Sequence, residues 1–437
     1  MILQNQKDFI GKKNGKKVIV GYDLGREQAQ ISYCGLEESE PETVSAVAGT
    51  EQYNIPAVLC KRSGVSQWYY GKEAVKFAAQ EEGILVEDLL TLAERGEDVL
   101  VEGEVFDPVA LLTLFVKRSL SLLGMRVPLN QIEAFMFTVE ELTPRIVDVL
   151  GKVAAGLQLK AGHIAFQNYS ESFYAYTLHQ EKEIWKNDVV IFEYHHFLKM
   201  LCLECNRRTR PQVVFIERRD FPGIERRVWK EEEAGRQLQM EELDALFLHL
   251  AGEALSGRMV STVFLLGDGF KENWMKESLK FLCRNRRVFQ GNNLYSKGAC
   301  YGMRERISPG REWQEYVYLG DEKLKSNIGL RALRQGEDSY FAVLDAGTNW
   351  YEAFSEFEII LEEGNTVEFV ITPLTGGSVT NRSVSLDGLP ERPGRTTRLN
   401  VQVEMASVNQ AVVTVTDLGF GELFKSSGKA WTRTITV

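Results

Sequence analysis

Lys17-Val-Ile-Val-Gly-Tyr-Asp-Leu24 is the stretch on which the reading of the fold turns. A run this apolar, closed by an aspartate, reads as a buried strand. Gly25 and a short turn follow, then a second strand over Gln28 to Cys34, so the chain is predicted to open on a hairpin. An aspartate ending a buried strand, followed by glycine and a tight turn, sets a carboxylate beside backbone N–H groups, the donor set that a phosphate and its magnesium use. Asp23-Leu24-Gly25 meets that description, although Asp-x-Gly turns are common. A second glycine-bearing turn, Phe264-Leu-Leu-Gly-Asp-Gly-Phe270, comes late in the same region and is followed by Ser296-Lys-Gly-Ala-Cys-Tyr-Gly302. The order of these segments carries more than any one of them.

Outward from the opening strand, helix and strand patterns alternate. Pro108 starts an amphipathic helix over 108–123, and Ile132 to Val139 reads as a strand. Ile146, Val149, Leu150, Val153 and Leu157 share one helix face, His163 to Gln167 reads as a strand, and Glu171 to Leu178 as a short helix. Strands are expected at Val189 to Glu193, Phe197 to Cys205 and Gln212 to Glu217. A long helix carries Met240, Leu243, Phe247, Leu250 and Ala254, feeding a strand over Ser261 to Leu266 and a helix over 271–283. From Glu312 the grammar changes to short strands of period two: Phe357, Ile359, Leu361; Val367, Phe369, Ile371; Leu399, Val401, Val403, Met405. Turn-rich stretches separate them, so a separate β-sandwich is expected over 311–437.

The 437 residues exceed what one hydrophobic core organises, in keeping with more than one domain. With 44% hydrophobic and 26% charged residues the composition is globular, which excludes disordered and collagenous classes. Lys plus Arg number 51 against 61 Asp plus Glu, a net charge of −10 that repels a phosphate backbone, so no nucleic-acid partner is expected. No stretch has the continuous apolar length of a spanning helix and the N-terminus lacks the apolar core of a signal peptide, so a cytoplasmic protein without membrane contact is expected. The six cysteines lack disulfide-framework spacing. Cys202 and Cys205 have C-x-x-C spacing, but on a strand residues three apart point to opposite faces and no second ligand pair exists, so no metal site is expected. His195-His196 is read as an exposed strand end, and Arg207-Arg-Thr-Arg210 and Arg284-Asn-Arg-Arg287 as solvated turns.

Taken together, the segments resemble the actin-like ATPase superfamily, specifically the nucleotide-binding domain of the 70-kDa heat-shock (DnaK-type) chaperones. Gly21-Tyr-Asp-Leu-Gly25 resembles that family's first phosphate loop and Asn168-Tyr-Ser-Glu-Ser-Phe-Tyr-Ala-Tyr176 its first connecting segment. Leu266 to Phe270 resembles the adenosine loop and Lys297 to Gly302 the second connecting helix. The resemblance implies a two-lobed actin-like domain over 17–310 after an N-terminal extension, 1–16, with the Asp23 and Gly267–Gly269 loops facing each other across a cleft. It further implies a peptide-binding β-sandwich over 311–437, here without the helical lid. By resemblance, Asp23, Gly25, Arg26, Gly267, Asp268 and Gly269 would bind nucleotide, and Asp23, Glu171 and Glu193 are the candidate catalytic carboxylates.

Departures from the family pattern fall on its chemistry. Arg26-Glu27 replace the hydroxyl residues that hold phosphate in the first loop. The counterpart of the second loop, Val189-Val-Ile-Phe-Glu-Tyr-His-His196, carries bulky Tyr194, His195 and His196 where glycines would allow a phosphate to approach. The family's essential lysine has no counterpart. Arg26 is open to two readings, a substitute phosphate ligand or an ion pair with a nearby acid that plugs the site. A pseudo-ATPase is therefore expected, a chaperone-like binding or scaffold protein needing no cofactor, with ATP or ADP and magnesium the only candidates. Its partner would be a peptide, a protein or a second copy engaged through the sandwich. The alternative is an active ATP-dependent chaperone with an unorthodox second loop.

Overall fold

A computed structural model describes residues 17–36, 40–47, 49–125, 127–159, 161–291, 293–334 and 337–437. The expected N-terminal extension, 1–16, lies outside the described residues. The chain packs as two units, one formed by residues up to Lys199 with Asp220–Gly310, the other by Met200–Arg219 with Arg311–Val437. The first is mixed α/β and the second is rich in β-strand.

In the first unit the strand Val18–Leu24 is buried along its whole length. It sits inside a sheet ordered His163–Asn168, Ile132–Val139, Val18–Leu24, Gln28–Gly35, Glu42–Thr43. The first three strands run parallel, and Gln28–Gly35 returns antiparallel through the expected hairpin. Burial on both faces explains the near-continuous apolar run. On one face Tyr22 donates to or accepts from Ser119 Oγ at 2.7 Å and stacks on Phe135. The helix carrying Ser119, Pro108–Ser119, begins with a proline whose missing N–H costs nothing there, and Asp107 Oδ1 accepts from Val109 N at 2.7 Å. On the other face the helix Leu294–Ile307 lies so close that a Cβ on Gly21 would stand 2.8 Å from Cys300 N and collide with Ser296 O. Glycine in the middle of a strand, ordinarily a weakness, is here the condition for that helix to dock.

The same progression then repeats. Strand Asp188–Tyr194 is followed by a tight turn at His195–His196 and the strand starting at Phe197, while Val260–Leu266 and Arg287–Gln290 add in parallel on its other side. The helix Tyr169–Leu178 follows the last parallel strand of the first sheet, and Leu294–Ile307 follows that of the second. These two helices pack directly on each other, since a Cβ on Gly298 would stand 2.7 Å from the Ser172 carbonyl carbon.

One expected element is shorter. In place of a helix over 271–283, a 3-10 turn spans Asp268–Phe270 and the helix is Glu277–Leu282. Trp274 Nε1 donates to Gly269 O at 2.8 Å, holding the intervening segment as a loop. Asp244 then caps the helix, accepting from Glu277 N and Ser278 N at 2.7 and 2.9 Å. The strand expected over Gln212 to Glu217 runs on to Glu225.

In the second unit two four-stranded antiparallel sheets share one core. One is ordered Glu337–Leu344, Ser326–Arg334, Thr366–Pro373, Thr380–Ser385, and the other Phe354–Leu361, Thr397–Ser407, Gln410–Gly419, Ala430–Thr436. The alternation read from the sequence is the in-out burial along Thr397–Ser407, whose Leu399, Val401 and Val403 face Ile328, Phe369 and Val384 in the shared core.

Arg392 and Asp417 form a bidentate pair at 2.7 and 2.8 Å, their side chains 4% and 0% exposed. Asp417 also accepts from Gly419 N at 2.9 Å and Ser427 N at 2.8 Å, so one carboxylate fastens two loops to the sheet. The Arg392 guanidinium holds the Asp417 carboxyl well below the usual carboxylate range. Its stabilising contribution is thus present above the unfolded value near 4 and lost as the pH falls below it. Asp417→Ala should destabilise the protein by about 3–5 kcal/mol in urea titration at pH 7, because it strands a buried guanidinium. The double change Arg392→Met with Asp417→Leu should recover part of that loss, and a double variant as unstable as the two single losses summed would contradict this account.

Candidate functional site

Within the first unit a cavity of about 320 Å³ opens where the carboxyl ends of Val18–Leu24, Ile132–Val139, Asp188–Tyr194 and Val260–Leu266 converge. Strand ends are where open α/β sheets place ligands. Of the sequence-predicted residues, Asp23, Gly25, Arg26, Glu193, Gly267 and Asp268 line it; Gly269 and Glu171 do not. Glu171 is buried on the helix Tyr169–Leu178, where its N–H donates to Asn168 Oδ1 at 2.8 Å and its carboxylate lies 3.7 Å from Arg306.

Asp23 and Glu193 occupy equivalent places, the sixth residue of the seven in each sheet's first strand. They are joined by two tyrosines. Tyr169 donates to Asp23 Oδ1 at 2.7 Å and Tyr295 to Glu193 Oε2 at 3.3 Å, while the two rings stack 4.0 Å apart at 5°. The sequence reading missed both tyrosines. The signal was available as the Tyr-Ser pair in the first turn of each helix, Tyr169-Ser170 and Tyr295-Ser296.

The glycines expected to bind nucleotide have other work. Gly25 N donates to Gln28 O at 2.9 Å, so that donor is consumed in closing the hairpin. Gly267, at φ +101°, would collide through a Cβ with the Tyr194 backbone, and Gly269 would collide with the Tyr194 ring. Both glycines therefore serve the packing of their turn on a neighbouring strand end. Tyr194 itself does not fill phosphate space as its bulk suggested. Strand alternation turns it into the core, where it contacts Phe270 and Trp274 and donates to Glu225 O at 2.8 Å. His195 and His196, read as an exposed strand end, lie on a bend and both line the cavity. His196 pairs with Glu27 at 2.7 Å and His195 with Glu193 at 3.4 Å.

Seven carboxylates line the cavity, those of Asp23, Glu27, Glu94, Glu140, Glu141, Glu193 and Asp268, against two permanent cations. Arg26 is tied to Glu94 at 3.1 Å and to Thr91 Oγ1 at 2.6 Å, so of its two readings the ion pair is the one observed, with an acid on the helix Leu89–Arg95. Lys199 reaches Glu140 at 2.5 Å. Burial drives the Asp23 carboxyl up to about 7, with the Tyr169 hydrogen bond opposing, Glu193 adding, and His195 drawing it back. For His195 burial opposes the charged ring, but Glu193, Asp268 and Glu27 outweigh it and the imidazolium is favoured. Asp268 is lowered, burial being outweighed by Lys271 and Gln28. The arrangement can exchange a proton near neutrality and attract a cation.

A carboxyl raised from 3.8 to about 7 on folding destabilises the native state as pH climbs between those values, with the full cost reached above 7. Asp23→Asn removes that cost. Thermal melts should show the variant more stable than the parent at pH 8, by up to about 4 kcal/mol, with the gain vanishing by pH 4. A variant less stable than the parent at pH 8 would contradict the assignment.

Residues 40–321 match the family described as Family of unknown function (DUF5716) C-terminal, and residues 323–437 match Domain of unknown function (DUF8552). No curated protein matches the chain. The first match covers well over half of the sequence and includes the cavity-lining residues from Asn54 onward, so the chain belongs to the DUF5716 family.

Proposed function

We propose that the first unit is an actin-like ATPase domain of the DnaK-type chaperone kind whose nucleotide cleft has lost its chemistry, and that the chain is a cytoplasmic binding or scaffold protein. Its partner, a peptide or a protein, engages the β-sandwich. Three features support the ancestry: the hairpin-and-parallel-strand progression occurs twice, Asp23 and Glu193 stand at matching strand ends, and the Asp23 and Gly267–Asp268 turns line one cleft. Gln28 Nε2 reaches Asp268 Oδ2 at 3.4 Å, linking the two turns. The described residues of the second unit form no α-helix of their own, which favours strand addition to the sandwich as the mode of contact.

The observation that carries the loss of activity is electrostatic. A triphosphate entering this cleft meets seven carboxylates, and both permanent cations are already engaged by Glu94 and Glu140. Phosphoryl transfer depends on cations aimed at the phosphates, and the two permanent cations here are already paired with acids. The residues present do not fit magnesium nucleotide.

Calorimetric titration of the full chain with ATP or ADP and magnesium should show affinity no tighter than about 1 mM. Turnover should equal that of Asp23→Asn, and capture of extended peptides on an array should be unchanged by ATP. Micromolar ATP binding, or magnesium-dependent turnover abolished by Asp23→Asn, would restore the active-chaperone reading.

A further inference from the structure

Gln30 sits directly across from Asp23 in the antiparallel hairpin, so the two side chains share the sheet face that floors the cavity. Its side chain is almost wholly enclosed, at 5% exposure. Its Nε2 is used, donating to Asn54 Oδ1 at 2.5 Å. Its Oε1 is buried and has no partner among the described residues. A buried carbonyl left unpaired costs stability unless something supplies a donor, and Gln30 is one of the residues that line the cavity.

Asp23 repeats the pattern beside it. One oxygen, Oδ1, accepts from Tyr169, and Asp23 lines the same space. The missing component is therefore a group rich in hydrogen-bond donors and positive in charge. The stacked pair Tyr169 and Tyr295 lines the same space beside it. Leu24, Leu90, Val139 and Ile146 supply apolar wall that suits a carbon chain and gives nothing to a hydrated metal ion.

We propose that this cleft is a binding site for an organic ammonium or guanidinium ligand of the polyamine class, its cationic head held by Asp23 and Gln30 Oε1 and its aliphatic stem laid along the leucine, valine and isoleucine wall. The inference goes beyond the proposed function and stands independently of what the sandwich binds. The acids that repel a nucleotide are the attraction for this ligand.

The test is a calorimetric titration of the full chain with spermidine, repeated with agmatine, with magnesium chloride at matched ionic strength, and with magnesium ATP. Saturable one-to-one binding of spermidine or agmatine is expected, weakened at least tenfold by Gln30→Leu and by Asp23→Asn. Should Gln30→Leu fail to fold, Asp23→Asn decides, since removal of a buried charge favours its folding. Absence of saturable amine binding, equal affinity in the variants, or displacement of the amine by magnesium at equal ionic strength overturns the inference. Binding of magnesium ATP would overturn the proposed function instead, leaving the amine titration to judge this one.

Discussion

The first unit depends on one contact, the meeting of the helices Tyr169–Leu178 and Leu294–Ile307 at Gly298 and Ser172. Each helix follows one of the two sheets, so their approach fixes how the sheets' strand ends face each other. Two glycines make it possible. Gly298 admits the partner helix, and Gly21 admits the same helix onto the central strand. With that spacing set, Tyr169 and Tyr295 at the two helix starts are brought face to face, and each reaches the carboxylate at the end of one sheet's first strand. The geometry of the cleft is thus a consequence of backbone packing some distance from it. Side chains larger than hydrogen at either glycine have no space to occupy.

The repeated strand progression sets two acids at the cleft. Asp23 and Glu193 each stand sixth in their sheet's first strand, and the tyrosine pair holds one oxygen of each. Around this centre Arg26 pairs with Glu94, Lys199 with Glu140 and His196 with Glu27. Those contacts join the walls of the cleft to one another and leave an excess of carboxylates within it. The energetic burden falls on Asp23, whose ionised form is disfavoured by burial. Groups kept in that condition cluster where proteins bind or transform ligands.

Much of this architecture was legible in the sequence wherever the signal is local. Period-two alternation from Phe357 onward marked the strands of the sandwich, and the apolar run ending in Asp23 marked the central strand and its hairpin. What was not legible depends on pairings distant in the chain. The sequence reading placed Gly267 and Gly269 in an adenosine loop because it had no view of Tyr194 beneath them. It took Tyr194 for an obstruction, although the period of the strand, with Glu193 facing the cleft, already turned Tyr194 the other way. His195 and His196, read as an exposed strand end, lie on a bend that lines the cavity. Gln30 carried no motif at all; only its register with Asp23 and its empty oxygen single it out.

The most direct measurement of the central claim is the stability of Gly298→Ala, read by urea titration together with the tyrosine near-ultraviolet circular dichroism of the folded state. The helix contact leaves no room for a methyl group against the Ser172 carbonyl. The variant should therefore lose about 1–3 kcal/mol to overpacking and change its tyrosine signal as the Tyr169–Tyr295 stack is pushed apart. A variant as stable as the parent with an unaltered tyrosine spectrum would show that this contact does not set the cleft.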